Sequence, residues 1–404
     1  MKIFGTILLL TFYLTSLAQE EIVTQTLRID IPNARGATVS EVFEEVNYIP
    51  LESNKVSLFN KIDQLLVTDQ YYVILDRVGN AILIFEKDGT FHAKIDRIPK
   101  RKKPSYPSTM FQVISVDQVR KEIITYSSFG EYAGFLYVFD VDGNFLREQK
   151  VEANISEFIS IGSGRLIAYD SPPDEAGDKD TTYALTYIEP DGALGKKYFP
   201  HNFYLPSDDR WSDDNNLYPF GDGTKVLSKE FYQYEVIELD SGGIVAKYNF
   251  VLPMSYSLPK DFLTNTEYDN RREEFIKSNP SVVYSLSHLY RIDDYLLFHT
   301  ANFDHVDKKR DLIYHLKTGT LLSYRHIQPD SSNSYLPVYN IVAKVQAADQ
   351  EHFYTSISSS YMFMEYRENK RRNPVYNDVL TQYFTAGSRN DNPVIIQMKL
   401  KEGL

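Results

Sequence analysis

Five short apolar strands each run into a tight turn ending in glycine, and these turns recur at a spacing that few folds accommodate. They are residues 81–85 before Asp88-Gly89, 135–139 before Asp142-Gly143, 183–187 before Asp191-Gly192, 234–239 before Gly242-Gly243, and 311–316 before Thr318-Gly319. The final glycines lie 54, 49, 51 and 76 residues apart. Asp-Gly between apolar runs signals a hairpin, because glycine takes a positive φ without a Cβ penalty. Two more strand candidates precede the hairpin: 62–67 and 71–75 in the first unit, 158–161 and 165–169 in the third, 286–292 and 295–299 in the fifth. Each unit is therefore a four-stranded meander of about 50 residues, the size of a propeller blade. Runs such as Ile82-Leu83-Ile84-Phe85 and Ile123-Ile124 are apolar on consecutive residues. Strands buried on both faces between stacked blades require that pattern. A β-sandwich would also hold many strands, but not this period.

The chain ends set the blade count. After the fifth hairpin come 341–345 and 352–357, a long insert, and 394–400, with no room for a fourth strand. At the other end, the strand at 26–31 has no hairpin partner of its own. Placed as the outer strand of the last blade, residues 27–31 close the ring and remove an unpaired edge. The expectation is an all-β, six-bladed β-propeller of four-stranded antiparallel blades, with small helical inserts at 266–277 and 375–384 on one face. In the second insert Val379, Leu380, Tyr383 and Phe384 share a side.

Composition narrows the function classes. The 404 residues carry 43 Lys+Arg against 55 Asp+Glu, a net charge of −12 that excludes a nonspecific nucleic-acid binder. The absence of cysteine excludes disulfides, thiol catalysis, zinc-cysteine sites and a lipid anchor on Cys. Met1-Lys2, the apolar run 3–17 and the small residues Ser16 and Ala18 read as a signal peptide over 1–18, cleaved before Gln19. The mature chain, 19–404, then forms a single domain, periplasmic or secreted, and no later segment is apolar enough to span a membrane.

The first blade and the tail carry a family resemblance. Residues 46–52 (VNYIPLE), 72–76 (YVILD), 82–89 (ILIFEKDG) and Phe91, with the ending 392–401 (NPVIIQMKLK), resemble the bacterial secreted six-bladed β-propeller family with NHL-like blades. The resemblance implies a propeller over nearly the whole mature chain and an Asp such as Asp76 at this point of the first blade. It implies no settled activity. Members often carry a Gly-rich segment with Gly-Pro and an acidic residue after the first blade. Here residues 97–107 read RIPKRKKPSYP, so any role of that loop does not carry over.

Loop lengths point to one face. The first-to-second and third-to-fourth turns are uniformly tight, whereas the insertions 96–110, 170–182, 201–216, 252–281, 300–309 and 359–391 all fall in the other set. Long loops gathered on one rim of a rigid scaffold commonly carry function, whereas neutral insertions would scatter over both faces. The ends of the second strands point toward this mouth and present Asp76, Asp170, Lys229 and His299, with Arg77 and Tyr232 just beyond. The loop bearing Trp211, the only Trp, would roof them, with stacking on a sugar ring or a partner side chain as its role. The competing roles are an Asp76 that caps its own turn and a Trp211 that plugs the ring core.

Other clusters are weaker. His299, Asp304 and His305 offer metal or acid-base chemistry but lack a third ligand at a diagnostic spacing. The runs 207–216 and Asp174, Glu175, Asp178 and Asp180 are rich in oxygen ligands that suit calcium, without the Gly and distal Glu of a dedicated loop. The basic run 100–103 suits an acidic partner or a solvated surface. No nucleophile elbow, Walker loop, Rossmann glycine run or zincin helix is present. The sequence thus favours a binding module for a glycan, a peptide or an envelope protein. Its alternatives are a propeller lyase or hydrolase using funnel carboxylates and His, or a structural component of an envelope complex.

Overall fold

The alternation of apolar strand and glycine turn folds as the sequence implies, into six blades around an axis. The structure, a computed structural model, describes residues 22–99, 101, 106, 110–174, 182–211, 215–304, 309–339 and 344–404. Blade 1 is Gln64–Val67, Tyr71–Asp76, Ala81–Glu86 and Phe91–Ile95. Blade 2 is Val113–Asp117, Glu122–Tyr126, Phe135–Asp140 and Phe145–Lys150. Blade 3 is Glu157–Ser160, Leu166–Tyr169, Tyr183–Ile188 and Leu194–Pro200. Blade 4 is Leu217–Pro219, Val226–Lys229, Glu235–Leu239 and Ile244–Val251. Blade 5 is Ser285–Ile292, Tyr295–Ala301, Asp311–His315 and Leu321–Gln328. Blade 6 is Ala347–Ala348, Phe353–Ile357 and Val394–Leu400, completed by Phe43–Pro50 from the other end of the chain. Neighbouring strands within each blade pair antiparallel. Middle strands are buried over consecutive residues, as in Ala81–Phe85 of blade 1 and Val394–Ile396 of blade 6. Apolar surface sealed between blades is the main driving force of such a ring.

Ring closure corrects one expectation. The strand that completes blade 6 is Phe43–Pro50, in register Val394↔Pro50 through Leu400↔Phe43, and not residues 27–31. The turn of blade 1 presses on this closing strand. Gly89 has φ +91°, and a Cβ there would lie 2.3 Å from the Pro50 carbonyl oxygen, so only glycine fits. Val23–Arg28 instead adds a fifth, parallel strand to blade 4, pairing with 246–251, and Arg35–Thr38 adds one to blade 5 beside Leu321–Gln328. The N-terminal segment thus runs along the outer edges of blades 4, 5 and 6 in turn. Its own Leu27, Ile29, Ile31, Ala34, Val39 and Val42 are buried against the blades, so it covers edges that would otherwise offer unpaired backbone.

The helical inserts are also shifted from expectation. Residues 266–277 divide into a single 3-10 turn, Thr266–Tyr268, and the helix Arg272–Ser278, separated at Asn270, whose φ is +57°. The second helix is Asp378–Ala386, capped by Asn377 Oδ1 accepting from Leu380 N at 2.9 Å. Leu380, Tyr383 and Phe384 are buried as expected, but Val379 faces solvent. A helix at Ser359–Asn369 was not anticipated. Ser358 caps it, and Tyr383 OH donates to Ser359 Oγ at 2.8 Å, which packs the two helices together.

The two faces of the disc differ as the loop lengths imply. Connections on the tight face span two to six residues, whereas that between Ile357 and Val394 on the other face spans 36. The first strand of every blade lines an axial channel of about 460 Å³.

Candidate functional site

On the long-loop face the channel opens into a cavity of about 800 Å³ between blades 1, 2 and 3. Its wall is built from residues just before first strands and just after second strands, because an antiparallel hairpin brings those two points together. Asp63 precedes the first strand of blade 1. Its Oδ2 accepts from Arg77 N at 2.8 Å, and its Oδ1 lies 2.8 Å from Lys61 Nζ. Arg77 follows the second strand and donates from Nε to Gln112 O at 2.8 Å, which bridges blade 1 to blade 2. Gln112 Oε1 accepts from Ser128 N at 2.7 Å and from Ser128 Oγ at 2.9 Å. Asp170 closes the wall from blade 3. Burial pushes its carboxyl up to about 6, against the stabilising effect of Asn154, Ser171 and Arg210. Val78 and Phe129 also line the cavity, 47% and 50% exposed, and set an apolar shelf beside these charges. Two cations, two carboxylates, amides and an apolar shelf can satisfy a ligand that carries both polar groups and a flat apolar surface.

Of the residues expected at the mouth, the structure brings Arg77 and Asp170 together there. Asp76 turns inward and is 2% exposed. Its Oδ2 accepts from Asn60 N at 2.9 Å and Asn60 Nδ2 at 2.8 Å, and its Oδ1 from Gly79 N at 3.1 Å, so it holds its own turn. Lys229, 1% exposed, points its ammonium to Ser285 Oγ of blade 5 at 3.3 Å. His299 is buried, which lowers its pKa against the pull of Asp311, and its Nδ1 meets Asp311 Oδ1 at 2.7 Å. Burial alone would raise the Asp311 carboxyl, but His299 and Arg325 hold it well below the usual range, and Tyr339 OH also donates to it at 3.2 Å.

Trp211 and Tyr232 belong to an aromatic cluster at blades 4 and 5, away from the cavity. The indole packs on Phe303 at 5.0 Å and edge-on to Tyr284 at 6.3 Å, with Lys277 Nζ 5.4 Å from its ring. Tyr232 OH donates to Asp209 O and accepts from Trp211 N, each at 2.7 Å. Asp304 accepts from Ser281 Oγ at 3.4 Å in the same region. Trp211 therefore lines neither the mouth nor the axial channel, and packs in this cluster instead of roofing the mouth or plugging the ring core. Second strands lie one strand out from the channel, so most of their end residues are enclosed between blades rather than exposed at the mouth. Lys61, Asp63, Gln112 and Asn154 went unnoticed in the sequence because they sit before first strands, and no local pattern marks them. Residues 1–21, Lys100, Lys102, Lys103, Glu175, Asp178, Asp180, 212–214 and His305 lie outside the described residues. Among the described residues, no group of three or more His, Asp or Glu is arranged to hold a metal ion, and no helix is long and apolar enough to cross a membrane.

A family model described as a domain of unknown function, DUF4934, matches residues 25–399. No curated protein sequence matches the chain. Among solved structures, the chain is similar to a candidate exported protein of Bacteroides fragilis, at 13% identity and a TM-score of 0.68, covering 95% of this chain and 100% of that one. It is also similar to a member of the DUF4221 family from Bacteroides vulgatus, at 12% identity and a TM-score of 0.48, covering 89% and 97%. A gluconolactonase of Xanthomonas campestris aligns at 11% identity and a TM-score of 0.41, covering 91% and 94%.

Proposed function

We propose that this chain, which belongs to the DUF4934 family, is an exported binding module whose ligand, a glycan or a peptide, is held at the long-loop mouth. The observation that carries this reading is the cavity between blades 1, 2 and 3, where Lys61, Asp63, Arg77 and Asp170 converge beside the apolar Phe129. Sugars and peptides share the needed chemistry: directional polar groups on both sides and a flat or apolar surface to lay on a shelf. Export is supported by the apolar leader over 3–17, and the NHL-like character of the blades by residues 82–89.

Glycan arrays and peptide libraries test the reading. Arg77→Ala and Asp170→Asn should each weaken the captured ligand at least tenfold while the chain keeps its cooperative thermal unfolding. A ligand that lands on the tight-turn face would overturn the proposal. A second reading, a hydrolase or lyase, draws on the Asp170 carboxyl, raised to about 6, and on Asp63 in the same cavity. Release of product from the captured ligand, lost in Asp170→Asn, would select it.

A further inference from the structure

A second cavity, of about 240 Å³, lies between blades 3 and 4 and shares no lining residue with the mouth. It is walled by Phe199, His201 and Phe203 from the end of blade 3 and by Glu230, Gln233 and Glu235 from blade 4. Glu230 is its distinctive group. Tyr169 OH donates to Glu230 Oε2 at 3.1 Å, but Oε1 is shut off from solvent and has no hydrogen-bond partner. An ionised carboxylate with one enclosed oxygen unsatisfied is costly, so such a group favours a proton or a cationic donor.

The charges around it leave that place open. The Lys229 ammonium, which also lines this cavity, is turned toward Ser285 in blade 5 and faces both the Glu157 and the Glu230 carboxylates without donating to Glu230 Oε1. Glu157 is already bound by Asn216 N at 2.8 Å and Leu217 N at 3.1 Å. Glu235 is paired with Lys247 at 3.3 Å. His201 meets the Asp170 carbonyl at 3.2 Å, and burial lowers its pKa, so it adds no charge. Arg210 hydrogen-bonds Leu205 O and Pro172 O, with Asp174 at 2.8 Å. One lysine thus serves two buried carboxylates. Phe199 also holds a φ of +58°, a strained state for a bulky residue, where it lines this space.

We propose that this cavity is a second binding site, for a small organic cation, with Glu230 supplying the counter-charge and Phe199 and Phe203 the apolar wall. A turn of the Glu230 side chain brings Oε1 into the cavity, where a primary ammonium satisfies it with a charge-assisted hydrogen bond and its alkyl stem rests against the aromatic rings. Burial raises the Glu230 carboxyl to about 7, so below neutrality a proton occupies the place the ammonium would take.

The test is ligand-observed NMR of n-butylamine, with n-butanol as the neutral isostere, on the full chain between pH 6 and pH 8. Amine binding should weaken about tenfold from pH 8 to pH 6, because a carboxyl titrating near 7 is mostly ionised at the upper limit and mostly protonated at the lower. Glu230→Gln, with its melting temperature checked, should lose amine binding. Tyr169→Phe should keep it and move the pH midpoint upward, since the phenol that steadies the anion is gone. Butanol binding as tightly as the amine, retention of the amine by Glu230→Gln, or no saturation by the amine at pH 8 would each overturn the proposal.

Discussion

Arg272 and Asp209, 1% and 3% exposed, form a buried ion pair that locks together the two inserts flanking blade 4. Asp209 Oδ1 accepts from Arg272 N at 3.1 Å, and Oδ2 accepts from Asn270 N at 3.0 Å as well as from the guanidinium. Arg272 Nη2 also reaches Asp269 Oδ1 at 3.0 Å. The loop carrying Trp211 and the helix Arg272–Ser278 therefore stand or fall together.

Removing one partner leaves the other charge buried without compensation. Asp209→Ala should cost roughly 3–5 kcal/mol. As Trp211 is the only Trp and stands two residues away, its emission should shift to the red in the folded variant. An unchanged melting temperature and spectrum would show that the pair does not hold the inserts.

Asp76 should behave as a structural residue. Asp76→Ala strands the Asn60 and Gly79 amides, at a cost of about 1–3 kcal/mol, and should leave ligand capture at the mouth intact. Loss of ligand with an unchanged melting temperature would return Asp76 to the site.

The N-terminal segment separates edge cover from ring closure. A chain beginning at Phe43 loses the parallel strands on blades 4 and 5 and exposes the surface under Leu27, Ile29 and Ile31, so it should fold with several kcal/mol less stability, on the order of that buried area. A chain beginning at Leu51 also lacks the partner of Val394–Leu400 and should lose cooperative unfolding. Urea melts of both, compared with the full chain, give the check.

Stability should fall as pH rises through neutrality. Glu230 is raised from 4.5 to about 7 and Asp170 from 3.8 to about 6, each chiefly by burial. A raised carboxyl favours the folded state while protonated. Its contribution is complete below the unfolded value and lost as pH climbs through the folded one. The melting temperature should therefore decline between about pH 4.5 and pH 7, and Glu230→Gln should flatten that slope. A slope identical in the variant would remove Glu230 as its source. Asp311 acts in the opposite sense, because its lowered carboxyl gives stability that disappears only as the medium becomes strongly acidic.

What the sequence determined by itself is local and periodic. Asp88-Gly89 and its four counterparts make hairpins because glycine at those points admits a positive φ, as at Gly143 (+82°) and Gly192 (+90°). Runs such as Ile82-Leu83-Ile84-Phe85 require burial on both faces, and that made the blade, the ring and its long-loop face legible. What only the tertiary structure decided is which distant segments meet. Nothing in residues 26–31 or 43–50 says which of them pairs with Val394–Leu400, since each mixes apolar and charged residues and the choice depends on the path the chain takes around blades 4 and 5. The mouth follows the same rule. Arg77 and Asp170 could be placed by blade alignment, but Lys61 and Asp63 join them only because a hairpin returns the start of one strand beside the end of the next. His299, Lys229 and Asp76 look like site residues in the sequence, where only their chemistry shows. Packing between blades then surrounds them with partners and shuts them away from the mouth.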